Sequence, residues 1–501
     1  MHYDAQLVYD YNFPSVEPES KWFQAYQSTH NCIDLEAFAE YYDDTKKMDS
    51  GQYVDWYSEK YKTPPQAYNQ IPNFIGVNPS VSFYHYKKNL KPKFRKTLFF
   101  YPIALYSEAM NSIGDYEHMV FDKITKDVIE EVKTSPHFYL MISYFYEGIV
   151  YTKEMENLYK WIKKYEIPED KIYFVYGNHN IDDWWNDISK SDIINKKLNF
   201  ISYIWPLQYM PDYYRPIIDE YKNITKDLLP HERKIWDNVF ETSENNQSFN
   251  LEYKVEKKKY DFNCLLRQLR PHRILLLCFL RLVKLLDKNL ISYDLYSLGF
   301  KFEFGWYWLI EGNKTRNYPL VSNEGPFKWV DYLQQYSKLW IEQPKKVVDI
   351  ENTEEIHGLR MENDIPYKDS MFTIVSESYF FEQSKVHYIS EKVLKPMIHN
   401  HPFILFAKPG ILKFLKEKGF NTFHPYIDEI YDEIDDDIER FACISREIER
   451  LCSQTDEEKL EWMKNIKPIV EHNFNHFMLY DSKLEDTKIL NGVTKMKKKA
   501  I

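Results

Sequence analysis

MFTIVSESYFFEQSKVHYISEKVLKPMIHNHPFILFA, residues 371–407, sets an extended run, a helix start and a second extended run in one line. MFTIVSES (371–378) is apolar and β-branched, as a buried strand requires. Ser390 is a good N-cap and Glu391 suits a first helical turn, while Pro396 keeps the helix short or kinked. HPFILFA (401–407) is again continuously apolar, the pattern of a strand buried on both faces. Strand, helix, strand in that rhythm predicts a βαβ unit in a parallel sheet. Capping explains Ser390 and Glu391 in full. It does not explain Lys392, because a cation at a helix N-terminus opposes the dipole unless an anion sits there.

The same rhythm extends in both directions. Upstream, YDFNCLL (260–266) reads as a strand, RPHRILLLCFLRLVKLLDK (270–288) as a helix and NLISYDL (289–295) as extended chain. Downstream, ILKFLKEK (411–418) is helical and closed by Gly419. An earlier series has strands in TLFFYPIAL (97–105), FYLMISYF (138–145) and KIYFVYG (171–177). Its helices are DKITKDVIEEVKT (122–134) and KEMENLYKWIKKYEI (153–167), the second stopped by Pro168. The expected organisation is α/β, with two Rossmann-like domains over 61–255 and 256–475. A weakly patterned, irregular or helical extension would precede them over 1–60, and a tail would follow over 476–501. Ligands of open α/β sheets bind at the carboxyl ends of the strands, so the expected site is a cleft between two such edges.

Composition narrows the classes. The chain has 501 residues, 28% charged and 44% apolar, ordinary for a globular protein of two or three domains. Its 42 Tyr, 32 Phe and 12 Trp are far from ordinary, and fit either a biased genome or carbohydrate stacking. A net charge of −11 argues against a nucleic-acid partner; KVEKKK (254–259) and KMKKK (495–499) read as a solvated stretch and a frayed tail. Five scattered cysteines without a CxxC pair suggest neither a disulfide framework nor a zinc site, and fit a reducing compartment. MHYDAQLVYDYNF lacks the basic and apolar regions of a signal peptide. ILLLCFLRLVKLL (274–286) is too short to span a bilayer and reads as a core helix. A cytoplasmic protein without a membrane span is expected.

Three further constellations carry chemistry. In LLRQLRPHR (265–273), Arg267, Arg270, His272 and Arg273 crowd a turn from strand into helix. Cations there carry a penalty that a bound anion would offset, and guanidinium groups hold phosphate bidentately. FVYGNHNIDD (174–183) runs a strand into Gly-Asn-His, which is also how metallophosphoesterases present metal ligands. Such an enzyme needs an Asp-x-His as well, which this chain lacks, although His399-Asn400-His401 has the outward form of another element. The preferred role for Asn178, His179 and Asn180 is to line the acceptor side of the cleft or cap the loop. IDEIYDEIDDDIER (427–440) reads as a solvated connection rather than a cation site.

FTIVSES followed by YISEKVLKPMIHNHPFILFAKPG resembles the donor-binding signature of the α-1,3-fucosyltransferases. There, a strand ends in a Phe-Glu-Asn-Ser type motif, Tyr-Val-Thr-Glu-Lys opens a helix, and a Val-Pro-Val type strand follows. The chain is also similar to glycosyltransferase-like proteins of large phages and other large viruses, which share the Arg-Pro-His-Arg turn and the Ser-Glu-Lys helix. The motif covers residues 372–410, departing from it at Ser376, at Ser378 and in the His-Pro-Phe-Ile step. Gln383 and His399 stand eight positions either side of Glu391, so the paired glutamates of many retaining enzymes are absent. The resemblance implies a GT-B fold and an inverting transfer from a nucleotide-diphosphate sugar, GDP-fucose by analogy, with no cofactor required. It assigns Glu391 to the ribose, Lys392 to the diphosphate, Tyr388 to the phosphate and sugar, and Arg273 or Arg270 to phosphate. Glu377 stands where the glutamate of the first motif would be.

An inverting transfer needs a carboxylate to take the acceptor's proton. Glu147, after the strand 138–145, is the best placed, with Asp182 and Asp183 behind it. The expected partners are a nucleotide sugar and a glycan or other hydroxyl acceptor; a modified DNA base is an alternative acceptor that the acidic charge argues against. Two other classes stand beside this one: a metallophosphoesterase using the GNHN loop, and a non-catalytic glycan-binding protein of the same fold.

Overall fold

The computed structural model describes residues 5–9, 78–82, 98–104, 126–144, 152–194, 196–225, 249–266, 271–294, 345–346, 365–380 and 387–481, with isolated positions at 87, 124 and 150. They fall into two compact units, divided after Trp205. Each is an α/β unit built on a predominantly parallel sheet, the layer architecture expected from the sequence.

The first sheet contains β1 (Ala5–Tyr9), β2 (Asn78–Ser82), β3 (Leu98–Ala104), β4 (Phe138–Tyr144), β5 (Ile172–Tyr176) and β6 (Asn199–Ser202). Its order is β2-β1-β3-β4-β5-β6 and every pairing is parallel. Residues 5–9 therefore form a strand between β2 and β3, where the sequence pattern suggested an irregular or helical extension. Five residues with one polar position are too short to show a period. Among the described residues, helices α1 (Lys126–Thr134), α2 (Thr152–Lys164) and α3 (Ile181–Ile188) belong to this unit. Its core is aromatic: Phe100, Tyr139 and Tyr173 meet edge to face or tilted, with centroids 5.3–5.7 Å apart.

In the second unit, β7 (Tyr260–Leu266), β8 (Leu290–Asp294), β9 (Lys345–Lys346), β10 (Ser370–Ser376) and β11 (Phe403–Phe406) lie in the order β11-β10-β7-β8-β9. Only β9 runs antiparallel. All seven residues of β10 and all four of β11 are buried, which is why both runs lack polar alternation. Its helices among the described residues are α4 (Trp205–Thr225), α5 (Pro271–Leu282), α6 (Ile365–Asp369), α7 (Glu391–Ile398), α8 (Ile411–Glu417), α9 (Asp437–Cys452) and α10 (Asp456–Leu479). Helix α4 packs within this unit, its Arg215 donating to the carbonyls of Met478 (2.6 Å) and Tyr480 (2.8 Å) at the end of α10.

Helix α5 stops six residues before the expected end. Lys284 takes a left-handed φ of 60°, and the Leu285 N–H bonds back to Leu280 O at 2.8 Å, closing the helix ahead of β8. No helix among the described residues is long and apolar enough to cross a membrane.

The acidic run 427–440 differs from the solvated connection expected. Asp432 accepts the N–H groups of Leu412 and Lys413, both at 3.0 Å, at the start of α8. Glu429 takes the Phe423 N–H at 2.7 Å. Arg440 lies 1% exposed between the carbonyls of Ile434 (2.9 Å), Asp435 (3.1 Å) and Phe380 (2.6 Å). Acids appearing every third or fourth position hid an inward stripe inside an outward one.

Gly419 closes α8 as the spacing predicted, with φ +92° and the paired backbone bonds Gly419 N–H to Lys416 O and Phe420 N–H to Leu415 O. A Cβ there would lie 2.7 Å from the His476 ring, which donates to Lys418 O. Gly419→Ala is expected to destabilise the second unit by roughly 1–3 kcal/mol, read as a lower urea midpoint at unchanged slope.

Candidate functional site

In the second unit the chain leaves β7 through α5 to β8 on one side, then returns to β10 on the other and continues through α7 to β11. The strand order thus reverses between β7 and β10. In open α/β sheets the carboxyl side of such a reversal is where the outgoing loops diverge and leave a crevice. Here that position brings together the start of α5, the end of β10 and the start of α7.

Glu377, the residue after β10, is the centre of this arrangement and is 1% exposed. Its N–H continues the ladder to Phe406 O at 3.1 Å. Its carbonyl receives His272 Nε2 at 2.9 Å and Arg273 Nη2 at 3.3 Å, and Arg273 also donates to Ser376 O at 3.0 Å. The cationic turn before α5 therefore directs His272 and Arg273, both buried, at backbone carbonyls. That contact offsets the cost of a cation at a helix start, which the sequence suggested a bound anion would offset. Arg270 and Arg267 lie outside the described residues.

The Glu377 carboxylate reaches across to α7. Oε1 accepts the Ser390 N–H at 3.1 Å, and Oε2 accepts the Ser390 hydroxyl at 2.6 Å and the Ser378 N–H at 3.1 Å. Ser390 is the N-cap, its Oγ accepting the Lys392 N–H at 3.3 Å. The same Oγ accepts from Lys392 Nζ at 3.3 Å, and Nζ pairs with Glu391 Oε1 at 2.9 Å. Burial pushes the Glu377 carboxyl up, with Lys392 and the Ser390 bonds opposing. Burial acts the same way on Glu391, but Lys392 and Lys395 outweigh it and hold that carboxyl below its ordinary range.

Exposure separates these groups. The side chain of Lys392 is 30% exposed and that of Glu391 12%, so both are reachable from solvent. Tyr388 is buried and meets Tyr379 edge-on at 5.9 Å. Glu377, Tyr388, Glu391 and Lys392, the residues to which the resemblance gives donor-binding roles, all lie along this one edge. Sequence reasoning gave Ser390 only a capping role; its hydroxyl also links Glu377 to Lys392, a contact between two motifs that neither motif reveals alone.

In the first unit, Asn178 is fully buried and organises the turn after β5. Its Oδ1 accepts the Asn180 N–H at 2.9 Å, and its carbonyl accepts from Ser202 Oγ at 2.8 Å. Asn180 donates to Asp183 at 2.7 Å, Asp182 pairs with Lys197 at 2.6 Å, and His179 is half-buried. Asn178 and Asn180 thus hold the turn together through their own hydrogen bonds. Glu147 lies outside the described residues. The chain just beyond it is pinned, because Val150 gives its N–H to Tyr176 Oη (2.9 Å) and takes Trp184 Nε1 on its carbonyl (3.2 Å).

The histidines of His399-Asn400-His401 face the core of the second unit. His399 stacks on Tyr367 at 4.1 Å and accepts the Asn250 N–H on Nδ1. His401 bridges Thr373 Oγ1 (3.0 Å) and Ser370 O (3.1 Å). Burial drives both imidazoles toward the neutral form, His401 to about 3. Among the described residues no three His, Cys, Asp or Glu side chains gather as a cation site. No family model, curated protein or solved structure matches this chain.

Proposed function

We propose that the second unit binds a nucleotide-diphosphate sugar at the carboxyl edge between β7 and β10, and that the protein is a glycosyltransferase of GT-B type. The observation that supports this is the convergence of a partly exposed lysine and an ionised glutamate on a helix N-terminus at the strand-order reversal. A phosphate entering there meets the Lys392 ammonium and the positive end of α7. To do so it must displace Glu391 from Lys392, and Glu391 is then free to accept hydroxyl protons from the ribose. Fucose as the sugar and inversion at the anomeric carbon follow from the resemblance, and Glu147 as acceptor-side base from its place in the sequence after the strand 138–145. The first unit would carry the acceptor, a glycan or another hydroxyl compound.

A thermal-shift panel of GDP-, UDP-, CMP- and dTDP-sugars tests the assignment. One nucleotide class should raise the wild-type melting temperature progressively with concentration, through a stabilisation of about 2.7 kcal/mol at a hundred times its Kd. Lys392→Ala should abolish the shift. A flat panel for wild type, or an undiminished shift in Lys392→Ala, would refute it.

A further inference from the structure

We propose that Glu377 is a positioning residue for Lys392, acting through the Ser390 hydroxyl and so setting the anion affinity of this edge. Where its ligand is concerned, this rests on the nucleotide-sugar reading above; the positioning itself rests on geometry. The N-cap bond of helix α7, from the Lys392 N–H to Ser390 Oγ, is itself made by a hydroxyl and not by a carboxylate. A carboxylate placed beneath that cap at 1% exposure is costly to bury, and an amide or apolar side chain would cost less. Its contacts indicate what the charge does. The Ser390 hydroxyl has one proton and two lone pairs. Glu377 Oε2 takes the proton at 2.6 Å, which turns both lone pairs toward the Lys392 N–H and Nζ, each at 3.3 Å.

The two carboxylates beside Lys392 thereby divide the work. Glu391, 12% exposed and bonded to Nζ directly, is the partner an anion can displace. Glu377 is buried and bonded through Ser390, so it stays when the anion arrives and keeps the ammonium aimed. In Glu377→Gln the side chain keeps its shape, but its amide N–H₂ now faces either the Ser390 hydroxyl and Ser378 N–H or the Ser390 N–H. With the amide toward the hydroxyl, the hydroxyl must turn and Lys392 loses its fixed acceptor; with the amide toward the Ser390 N–H, two donors face each other and the N-cap that carries the hydroxyl is displaced.

The test uses the full chain as wild type, Glu377→Gln, Ser390→Ala and Ser390→Thr. The first measurement needs no ligand: the acylation rate of the Lys392 amine by an activated ester, read by peptide mass spectrometry against Lys413. Glu377→Gln and Ser390→Ala should each raise it severalfold, and Ser390→Thr, which keeps the hydroxyl, should leave it near wild type. The second is the affinity for the nucleotide sugar picked out by the thermal panel, expected to fall about tenfold in Glu377→Gln and Ser390→Ala and to persist in Ser390→Thr. Unchanged Lys392 acylation in Ser390→Ala overturns the proposal even if Glu377→Gln fails to fold. If acylation rises but wild type binds no nucleotide, the positioning stands and the donor-site assignment falls.

Discussion

Replacing Arg440 with alanine should destabilise the second unit by about 3–5 kcal/mol, the range for removing one member of a buried charged network. Arg440 is almost fully buried, donates to three backbone carbonyls and pairs with Asp437. Its guanidinium also lies 4.4 Å from the centroid of Phe380, which stacks on Phe406 at 4.3 Å. Without it, three carbonyls and a half-buried carboxylate lose their donor together. Arg440→Met should recover part of the loss by refilling the volume, and Arg440→Lys little, since one ammonium cannot span four acceptors. Urea unfolding followed by tryptophan fluorescence measures it. A loss below about 1 kcal/mol for the alanine variant would mean that water replaces the arginine freely.

The second large effect depends on pH. Burial raises the Asp432 carboxyl to about 6, against the N–H bonds from Leu412 and Lys413 that favour its ionised form. Because the folded value lies above the unfolded one, near 3.9, the folded chain holds this proton more tightly. The resulting stability is fully present below about pH 4 and is lost as pH rises through about 6. At 1.36 kcal/mol per unit, it amounts to roughly 3 kcal/mol. Wild type minus Asp432→Asn, measured by urea unfolding at several pH values, cancels the other carboxylates. That difference should fall by roughly this amount between pH 4 and 6.5. Parallel pH curves for the two proteins would contradict it.

Which features could be read in advance follows from how local their causes are. Strands β4, β5, β10 and β11 announced themselves because each is a largely apolar run buried by its neighbours, and β3, β7 and β8 because apolar stretches sit in the same strand-helix rhythm. The start of α7 and the end of α8 were equally legible, since Ser390 and Gly419 act within one turn. Strand β1 was not, because its place is decided by pairing with β2 and β3 across long separations. The site divides the same way. Lys392 stood out because the helix dipole opposes it. The targets of His272 and Arg273 did not, because the carbonyls they bind lie more than a hundred residues away. Arg440 looked like one more surface charge in an acidic run. Only the packing against Phe380 shows it to be buried.

The central claim is that the edge between β7 and β10 holds a nucleotide diphosphate through Lys392. Isothermal titration of the free nucleoside diphosphates into wild type and Lys392→Ala tests it most directly. Saturable one-to-one binding of one of them to wild type is expected, with at least a tenfold weaker Kd in the variant, a difference of about 1.4 kcal/mol. No binding heat from any of them, or the same Kd in both proteins, would contradict it.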